Sequence, residues 1–415
     1  MSLMQYHPKV GGVMQPQTAF SSQESSLLSV LFLLIPWCTM FACCLDLFIP
    51  AIPAIASDLH MTVERVQSLQ SVFMLCLGFG MLVIGPLSDM LGHYRVIHYA
   101  MFSLITGHLI GFYSIDYHLI IFARVLEAFG SASILLIAYA CARNFYSVPF
   151  QTQQLISYLN GSVGLCWIIL PGFTSIFLSY FSWRYIFILL TITTCFSLIY
   201  TQYYFKSRSK SLSDELFNWD TLKAFLHNPN TYFYGLGCCV TQATCFTFTV
   251  QAPIILLHQL KISYFQFSLD FSIIALSFSL SNFYFSALTK YLSTKEIVLT
   301  SSLIIMFGGC LMSICYLMLG LTHLGFLIPM MMIILGSGLM CSSALWGAIQ
   351  PFKTNMGSIM AILGSARFLF SSLIALLSSF FGFSVTSISW IAILLGLSLM
   401  LSDILQKKQI IHQYA

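Results

Sequence analysis

Between Glu296 and Lys353 the chain runs through 56 residues without a single Asp, Glu, Lys or Arg. A helix needs about 20 apolar residues to cross a bilayer, so this stretch is long enough for two crossings joined by a short turn. Because lipid offers no hydrogen-bond partner to the backbone, such continuous apolar runs must be helical. A second uncharged stretch of 40 residues, between Arg143 and Arg184, holds one further span with polar flanks. These two stretches predict a helical membrane protein.

The composition extends this prediction to the whole chain. Only 7% of the 415 residues are charged, whereas about 25% are charged in an ordinary soluble domain. Since 58% of the residues are apolar, so few charges could not cover the surface of a soluble globule of this size. The net charge of +4 is too small to steer the binding of nucleic acid. A soluble enzyme, a disordered chain and a nucleic-acid-binding protein are therefore excluded.

Apolar runs and turn residues divide the chain into twelve predicted spans. They lie at about 27–56, 66–87, 96–115, 118–142, 154–178, 184–205, 231–258, 264–288, 297–320, 323–349, 357–380 and 385–405. We expect an all-α membrane protein with two six-helix bundles, 27–205 and 231–405, joined by a charged linker at 206–230. Residues 1–26 are too long and too uncharged for the n-region of a signal peptide, so the first span is predicted to be retained. A short tail, 406–415, follows the last span.

The basic residues predict the orientation, because they accumulate on the cytoplasmic side of membrane proteins. With both termini cytoplasmic, twelve of the 17 lie on that side: Lys9, Arg95, Arg143, Lys206, Arg208, Lys210, Lys223, Lys290, Lys295, Lys353, Lys407 and Lys408. Only Arg65, Arg184 and Lys261 lie on the opposite side, and Arg124 and Arg367 fall inside spans. We therefore expect a multi-pass protein of the cell inner membrane with both termini in the cytoplasm.

The 13 cysteines do not indicate a metal site. Cys43-Cys44 and Cys238-Cys239 are adjacent pairs within apolar runs, and no CxxC motif occurs. We interpret the cysteines as small apolar residues of membrane helices, with metal binding or disulfide formation as the alternatives.

The loop after the second span contains Gly85-Pro86-Leu87-Ser88-Asp89-Met90-Leu91-Gly92-His93-Tyr94-Arg95. Gly85 allows two helices to approach closely, Asp89 can face a helix N-terminus, and Gly92 relaxes the backbone. The string resembles the Gly-x-Leu-Ala-Asp-x-x-Gly-Arg-Lys loop of the major facilitator superfamily. The resemblance implies two six-helix repeats around a central cavity, and a role for Asp89 and Arg95 in latching the outward-open state. His93 and Tyr94 stand where the family usually has basic residues.

The first span contains Asp46-Leu47-Phe48-Ile49-Pro50-Ala51-Ile52-Pro53, which resembles the Asp-x-x-x-Pro-x-x-Pro motif of the bicyclomycin-resistance (Bcr/CflA) drug exporters. Four further matches follow in the same order: Arg124 with Gly130, Arg143–Tyr146, Ser182–Phe187 and Gly364–Phe368. The fifth span departs from the glycine-rich motif of drug antiporters. Pro171 is present, but Thr174 and Ser175 replace paired glycines, while Gly161, Gly164 and Gly172 are expected to form small-residue contacts.

Ionisable residues inside a membrane span are costly and are therefore functional candidates. Asp46 and Arg124 have comparable depths and are expected to meet across a cavity between the first and fourth spans. Arg124 and Glu127 are i, i+3 neighbours on one helix face. We interpret Asp46 and Glu127 as candidate proton-coupling groups and Arg124 as their electrostatic partner. A purely structural Arg124–Glu127 pair remains the alternative.

Other polar and aromatic residues within the spans have less specific interpretations. Asp270 is expected to be solvated or to cap a helix, and Arg367 to bond to backbone carbonyls or to contact substrate. Further cavity candidates are Trp37, Trp167, Trp346 and Gln251, although packing or interhelical bonding would explain them equally well.

The resemblance implies a proton-coupled secondary transporter that exports small amphipathic molecules, works as a monomer and uses the proton gradient without a cofactor or metal. A transporter of one dedicated metabolite, with import as an option, is the main alternative. A polytopic membrane enzyme is disfavoured because the linker shows no recognisable catalytic spacing. The absence of a phosphate-binding glycine loop with lysine disfavours a nucleotide-driven pump. The two sets of six spans fit a transporter that works by alternating access better than they fit a passive channel.

Overall fold

The computed structural model describes residues 27–145, 149–206, 219–352, 355–380 and 384–414. The predicted N-terminal segment 1–26 and the central part of the predicted linker lie outside the described residues. The side chains of the Arg143–Tyr146 motif also lie outside the described residues.

Every regular element of the described residues is helical, and fourteen α-helices follow one another along the chain. They are α1 (Leu27–Asp46), α2 (Ile52–Asp58), α3 (Val63–Leu91), α4 (His93–Phe112), α5 (Tyr117–Phe145), α6 (Pro149–Tyr180), α7 (Arg184–Lys206), α8 (Trp219–His227), α9 (Pro229–Pro253), α10 (Tyr264–Leu288), α11 (Thr294–Leu319), α12 (His323–Ile349), α13 (Met356–Phe380) and α14 (Val385–Tyr414). All except α2 and α8 have 20 residues or more and correspond one to one with the predicted spans.

Eleven of the long helices in the described part of the chain are both long and apolar enough to cross a membrane. The remaining long helix is α4, in which His93, Arg95, His98 and His108 lower the mean hydropathy. It packs between α5 and α7 within the bundle, and its polar residues therefore need not all face lipid. The all-α, membrane-spanning fold class predicted from the sequence is confirmed.

The first predicted span, 27–56, is not one continuous helix. Helix α1 ends at Asp46, a 3₁₀ turn covers Ile49–Ala51, and α2 begins at Ile52. Pro50 and Pro53 lack the backbone N–H that a continuing helix would use, which explains the break. The predicted span corresponds to one candidate membrane crossing, Val30–Asp58, and the break within it places Asp46 at a helix end.

Several helix starts are fixed by local side-chain caps. Ser293 and Glu296 form a capping box at the start of α11, in which each side chain bonds to the backbone of the other residue. Ser263 and Asn228 cap α10 and α9 in the same general way, by accepting a hydrogen bond from a backbone N–H. Short polar turns therefore set where these long helices begin.

Two groups of helices pack against each other to form the molecule. Helices α1 to α7 form the first half and α9 to α14 the second, and the main connections between halves are α3 with α13 and α6 with α10. In terms of the twelve long helices, these are the second with the eleventh and the fifth with the eighth. Exchanging the two halves turns one pair into the other, which is the internal symmetry expected of repeated transporter bundles.

The outside of the bundle carries large apolar side chains. Phe196, Leu317 and Tyr203 are 73%, 80% and 81% exposed, and many other exposed Leu, Ile and Phe side chains accompany them. A soluble monomer rarely exposes apolar surface on this scale, whereas a bilayer covers it.

Candidate functional site

The two halves are joined at one end of the bundle by Asp89 of α3, and we call this the Asp89 end. Its carboxylate accepts hydrogen bonds from the backbone N–H of Gly357 (2.9 Å) and from the N–H and hydroxyl of Ser358 (2.7 and 2.5 Å). These donors belong to the first turn of α13, where a negative charge is stabilised by the helix dipole. The expectation that Asp89 faces a helix N-terminus is confirmed, and the helix is in the opposite half.

The glycines of the same loop also fit their predicted roles. A Cβ at Gly85 would lie 2.2 Å from the Cβ of Ala361, so only glycine permits the observed approach of α3 and α13. Gly92 has φ of +85°, a conformation that favours glycine and that lets α4 begin directly after α3. Arg95 is exposed in the first turn of α4, and His93, the first residue of that helix, is buried.

This geometry predicts that Gly85→Ala destabilises the closed Asp89 end. The added methyl group overlaps Ala361, and overpacking of this kind typically costs about 1–3 kcal/mol. We expect a lower melting temperature of the purified protein in detergent and faster hydrogen exchange at the start of α13. The matched control is Gly172→Ala, because a Cβ at Gly172 meets nothing within 4 Å. Equal melting temperatures for the two variants would contradict this account of the α3–α13 contact.

A buried ionic cluster lies inside the first half, between α1, α3, α4 and α5. Nη1 of Arg124 donates to Oε2 of Glu127 at 2.7 Å, and both side chains are almost fully shielded from solvent. The predicted i, i+3 pair is therefore confirmed as a contact. Because both groups are enclosed by protein, their charges interact far more strongly than an exposed pair would.

Arg124 is held from several sides. The same Nη1 donates to the backbone carbonyl of Cys44 (2.9 Å), and Nη2 donates to Oε1 of Gln70 (3.4 Å). The guanidinium carbon also lies 4.4 and 4.3 Å from the ring centroids of Phe48 and Phe73. These contacts fix the cation between α1 and α3, and Glu127 supplies its negative partner.

His108 of α4 completes the cluster and is not among the residues predicted from the sequence. Its Nε2 lies 3.8 Å from Oε1 of Glu127 and 3.6 Å from Sγ of Cys44. A Cβ at Gly107 would lie 3.0 Å from Cγ of Glu127, so the glycine lets α4 bring His108 close. Ionisable residues inside a membrane span are functional candidates, and this rule applies to histidine as it does to Asp, Glu and Arg. The position of His108 within the third predicted span could therefore have identified it.

Asp46 does not meet Arg124, and the prediction that these residues pair was wrong. Arg124 contacts α1 through the backbone of Cys44 instead, and no ion pair found within the described ranges includes Asp46. Asp46 is 5% exposed and faces α6, with the Trp167 side chain nearby and its own Oδ2 buried without a hydrogen-bond partner. Equal depth places two residues at one level of the membrane, but not on facing sides of their helices.

Asp270 is not solvated, and that expectation was also wrong. It is 1% exposed, and its Oδ2 lies 2.6 Å from Nε2 of His323 at the start of α12. Its other oxygen accepts a hydrogen bond from Nε2 of Gln266 at 3.0 Å. Asp270 lies near the outer end of α10, where solvent would be expected, but His323 of α12 covers it.

A narrow cavity lies between the two halves, and Arg367 of α13 is the charged residue in its wall. The lining comes from five helices, α3, α5, α9, α12 and α13: Met81, Leu135, Leu136, Tyr139, Cys238, Leu345, Met360, Leu363, Gly364 and Arg367. The expected bonds from Arg367 to backbone carbonyls are not found among the described residues. Its guanidinium instead lies 4.8 Å from the ring centroid of Phe368 and borders the cavity.

The other predicted cavity residues do not line this space. Trp37 is 1% exposed and donates from Nε1 to Thr201 of α7 at 3.1 Å, which holds α1 to α7. Gln251 is buried, and its Oε1 accepts a hydrogen bond from Ser387 of α14. Trp346 is 1% exposed within α12. These three side chains occupy helix interfaces, as the packing alternative proposed.

Helix α6 contacts the opposite half through small and aromatic residues. A Cβ at Gly164 would lie 2.4 Å from Oγ of Ser279, so a close approach of α6 to α10 requires glycine there. Trp167 packs against Phe278 with ring centroids 5.2 Å apart. Gly172 makes no such approach, so the small-residue contact expected there was wrong, and α6 continues through Pro171 to Tyr180.

A chain of hydrogen bonds crosses between the halves beside the cavity. The Tyr139 hydroxyl donates to Oδ1 of Asn160 (2.5 Å), Nδ2 of Asn160 donates to Ser342 (3.0 Å), and Ser342 donates to Oδ1 of Asn282 (2.7 Å). The chain connects α5 and α6 of one half with α12 and α10 of the other. Tyr139 thus links the cavity wall directly to the interface between the halves.

At the end opposite Asp89, Asp58 at the end of α2 binds the start of α7. Its carboxylate accepts hydrogen bonds from Arg184 and from the Trp183 indole, and Arg184 also donates to the carbonyl of Ser114 (3.1 Å). The Ser182–Phe187 motif of the sequence therefore joins three helix ends of the first half. Partial exposure limits the stabilisation by the ion pair to about 1 kcal/mol or less.

Comparison with known proteins agrees with this architecture. The family model of the Major Facilitator Superfamily matches residues 36–375. A chloramphenicol resistance protein of Pseudomonas aeruginosa is 22% identical over 342 residues, covering 82% of this chain and 81% of that protein. Multidrug resistance protein MdtL of Citrobacter koseri is 21% identical over 361 residues, covering 86% and 90%.

A solved structure shows the same fold. The human organic anion transporter MFSD10 (TETRAN) superposes with a TM-score of 0.70 at 12% identity, covering 90% of this chain and all of that one. Identity this low supports the fold alone. The Asp89 loop and the two paired halves agree with the family match, which covers most of the chain. The chain therefore belongs to the Major Facilitator Superfamily of membrane transporters.

Proposed function

We propose that this transporter is a proton-coupled exporter of small amphipathic molecules that works by alternating access in the cell inner membrane. The observation that carries the proposal is the pairing of a cavity between the halves with a separate buried cluster of Arg124, Glu127 and His108. The names of two relatives, a chloramphenicol resistance protein and a multidrug resistance protein, support drug-like substrates. The energy comes from the proton gradient, without a cofactor, and one chain forms the working unit.

In this mechanism Glu127 carries the proton. When Glu127 is ionised it neutralises Arg124, and when it is protonated the Arg124 cation loses its partner and the helices around it rearrange. His108 of α4 borders the same carboxyl, with its Nε2 3.8 Å from Oε1 of Glu127. Asp46, also buried in the first half, remains a second candidate for coupling.

Helix α5 connects the proton site to the cavity. Arg124 and Glu127 lie on the same helix as Leu135 and Tyr139, and Glu127 is eight residues, or about 12 Å, from Leu135. A helix moves as a rigid unit over this distance. Protonation of Glu127 can therefore change the cavity without any proton entering it.

The orientation assigns each end of the bundle to one side of the membrane. The sequence predicts twelve of the 17 basic residues on the cytoplasmic side, and Arg95, six residues after Asp89, is one of them, so the Asp89 end is proposed to face the cytoplasm. The three hydrogen bonds of Asp89 to α13 then close the cytoplasmic side in this conformation.

A transporter dedicated to one metabolite is the second candidate. Two observations favour it: Arg367 places a fixed charge in an otherwise apolar cavity, and the fifth long helix lacks the paired glycines of drug antiporters. Thr174, at one of those positions, is buried and donates to the carbonyl of Leu170. A dedicated transporter would accept one chemical class, whereas a multidrug exporter accepts many.

The test uses cells that express the protein and everted membrane vesicles made from them. We expect the cells to resist chloramphenicol or another lipophilic compound of a drug panel, and the vesicles to accumulate that compound when respiration acidifies their interior. Accumulation should stop when an uncoupler collapses the pH gradient. Protection against none of the compounds, together with growth dependent on one metabolite, would overturn export of drugs in favour of the second candidate.

A further inference from the structure

The charge of Arg367 lies near the middle of the membrane. Arg367 is eleven residues after Met356, which is about 16 Å along α13. Since the hydrocarbon core is about 30 Å thick, the guanidinium lies close to its midplane, where transporters of this architecture hold their substrates.

Arg367 differs from the other arginine of the membrane interior in having no negative partner. Arg124 has Glu127, the Cys44 carbonyl and Gln70 around it. In contrast, across the described ranges no ion pair or hydrogen bond includes the Arg367 guanidinium. The Nε of each arginine is buried without a hydrogen-bond partner, so the difference lies in the terminal nitrogens, which are paired only in Arg124. A cation at this depth without a counter-charge is costly, so a site of this kind is expected to receive one from a ligand.

The surroundings of Arg367 are otherwise neutral. Within the described part of the chain, the ionisable side chains close enough to interact with its charge are Cys38, Tyr139, Cys238, Cys239 and Cys341. Thiols and phenols like these are uncharged near neutral pH. The rest of the cavity wall is Met, Leu and Gly, and the Tyr139 hydroxyl is already engaged with Asn160. The cavity therefore offers one positive charge and an apolar surface.

We propose that this cavity binds lipophilic molecules that carry one negative charge, with the Arg367 guanidinium as the partner of a carboxylate or sulfonate. This proposal rests on the proposed function in one respect, namely that the cavity between the halves is the transport site. The planar guanidinium presents two parallel N–H groups that match such an anion, and the apolar walls cover its hydrocarbon part. The anion neutralises a charge that the protein leaves unpaired.

The test measures binding to the purified full-length protein in a neutral detergent, without any gradient. The probes are naphthoate and naphthamide, which share one ring system and differ in charge. Wild-type protein is expected to bind naphthoate at least about tenfold more tightly than naphthamide, the range of a charged hydrogen bond. In Arg367→Met the preference should disappear through loss of naphthoate binding, while naphthamide binding is unchanged.

Two further variants keep the test decisive. Arg367→Lys retains the charge but not the planar fork, so it should keep a reduced preference for naphthoate even if Arg367→Met fails to fold. Gly172→Ala, which lies away from the cavity, should match wild type. Equal affinities for the two probes in wild type, no binding of naphthoate, or full naphthoate binding by Arg367→Met would each overturn the proposal. Chloramphenicol accumulation in everted vesicles reports separately on the proposed function, so failure of one proposal is distinguishable from failure of the other.

Discussion

Glu127→Gln is expected to abolish transport driven by a pH gradient while leaving exchange of substrate across the membrane intact. Glutamine keeps the size of the side chain and can still accept a hydrogen bond from Arg124, but it cannot carry a proton. The halves can then alternate with substrate bound, since exchange needs no net proton movement. Everted vesicles measure transport driven by the pH gradient, and vesicles preloaded with unlabelled compound measure exchange.

The matched control is Glu296→Gln. Glu296 is an exposed residue of the capping box at the start of α11, where glutamine serves as well as glutamate. This variant should transport at the wild-type rate. Gradient-driven transport by Glu127→Gln at the wild-type rate, with equal amounts of protein in the membrane, would remove Glu127 from the coupling mechanism.

Asp89→Asn is expected to release the start of α13 from α3. The aspartate accepts three hydrogen bonds there, and asparagine loses both the charge and one accepting oxygen. A hydrogen bond to a charged group contributes about 1.5–3 kcal/mol, so opening of this end should become roughly 10- to 100-fold more frequent. Hydrogen–deuterium exchange of the peptide containing Gly357 and Ser358 measures the change directly.

Asp116→Asn is the control for the loss of a helix-capping carboxylate. Asp116 accepts a hydrogen bond from the backbone N–H of Leu119 at the start of its own helix, at the opposite end of the first half, and does not connect the halves. Its variant should leave exchange at Gly357 and Ser358 unchanged. If Asp89→Asn also leaves that peptide at the wild-type exchange rate, the α3–α13 latch does not hold this end closed.

Local patterns in the sequence predicted what depends on neighbouring residues. Arg124 and Glu127 form a pair because three residues along a helix bring side chains to one face. The sequence predicted that Gly85 and Asp89 lie at a contact between helices, because both belong to one short loop that joins two spans. The break after Asp46 could have been anticipated in the same way, since Pro50 and Pro53 stand at the position where α1 ends.

Contacts between distant helices could not be predicted in this way. Depth along a span fixes the level of a side chain in the membrane, but the rotation of the helix decides which neighbour it faces. Asp46 therefore faces α6 instead of Arg124, and Asp270 is covered by His323 of another helix. The same uncertainty applied to Trp37, whose ring fills an interface with α7. Only the packed structure assigns Arg367 to the cavity wall.

The two arginines of the membrane interior divide the proposed work of the transporter. Arg124 is neutralised by a residue that can take up a proton, and Arg367 is left for a molecule that enters the cavity. Helix α5 contributes to both places, through Arg124 and Glu127 at one level and through Leu135 and Tyr139 at another. Proton binding and substrate binding are thus separate in space but act on one rigid element.

The most direct test of proton-coupled export is accumulation of labelled chloramphenicol by liposomes that contain only the purified protein. Chloramphenicol is neutral near physiological pH, so a pH difference alone does not trap it. The account predicts accumulation when the liposome interior is acidic, none when the pH is equal on both sides, and none for Glu127→Gln under either condition. Equal uptake by wild-type protein with and without the gradient, or accumulation only when the exterior is acidic, would contradict proton-coupled export.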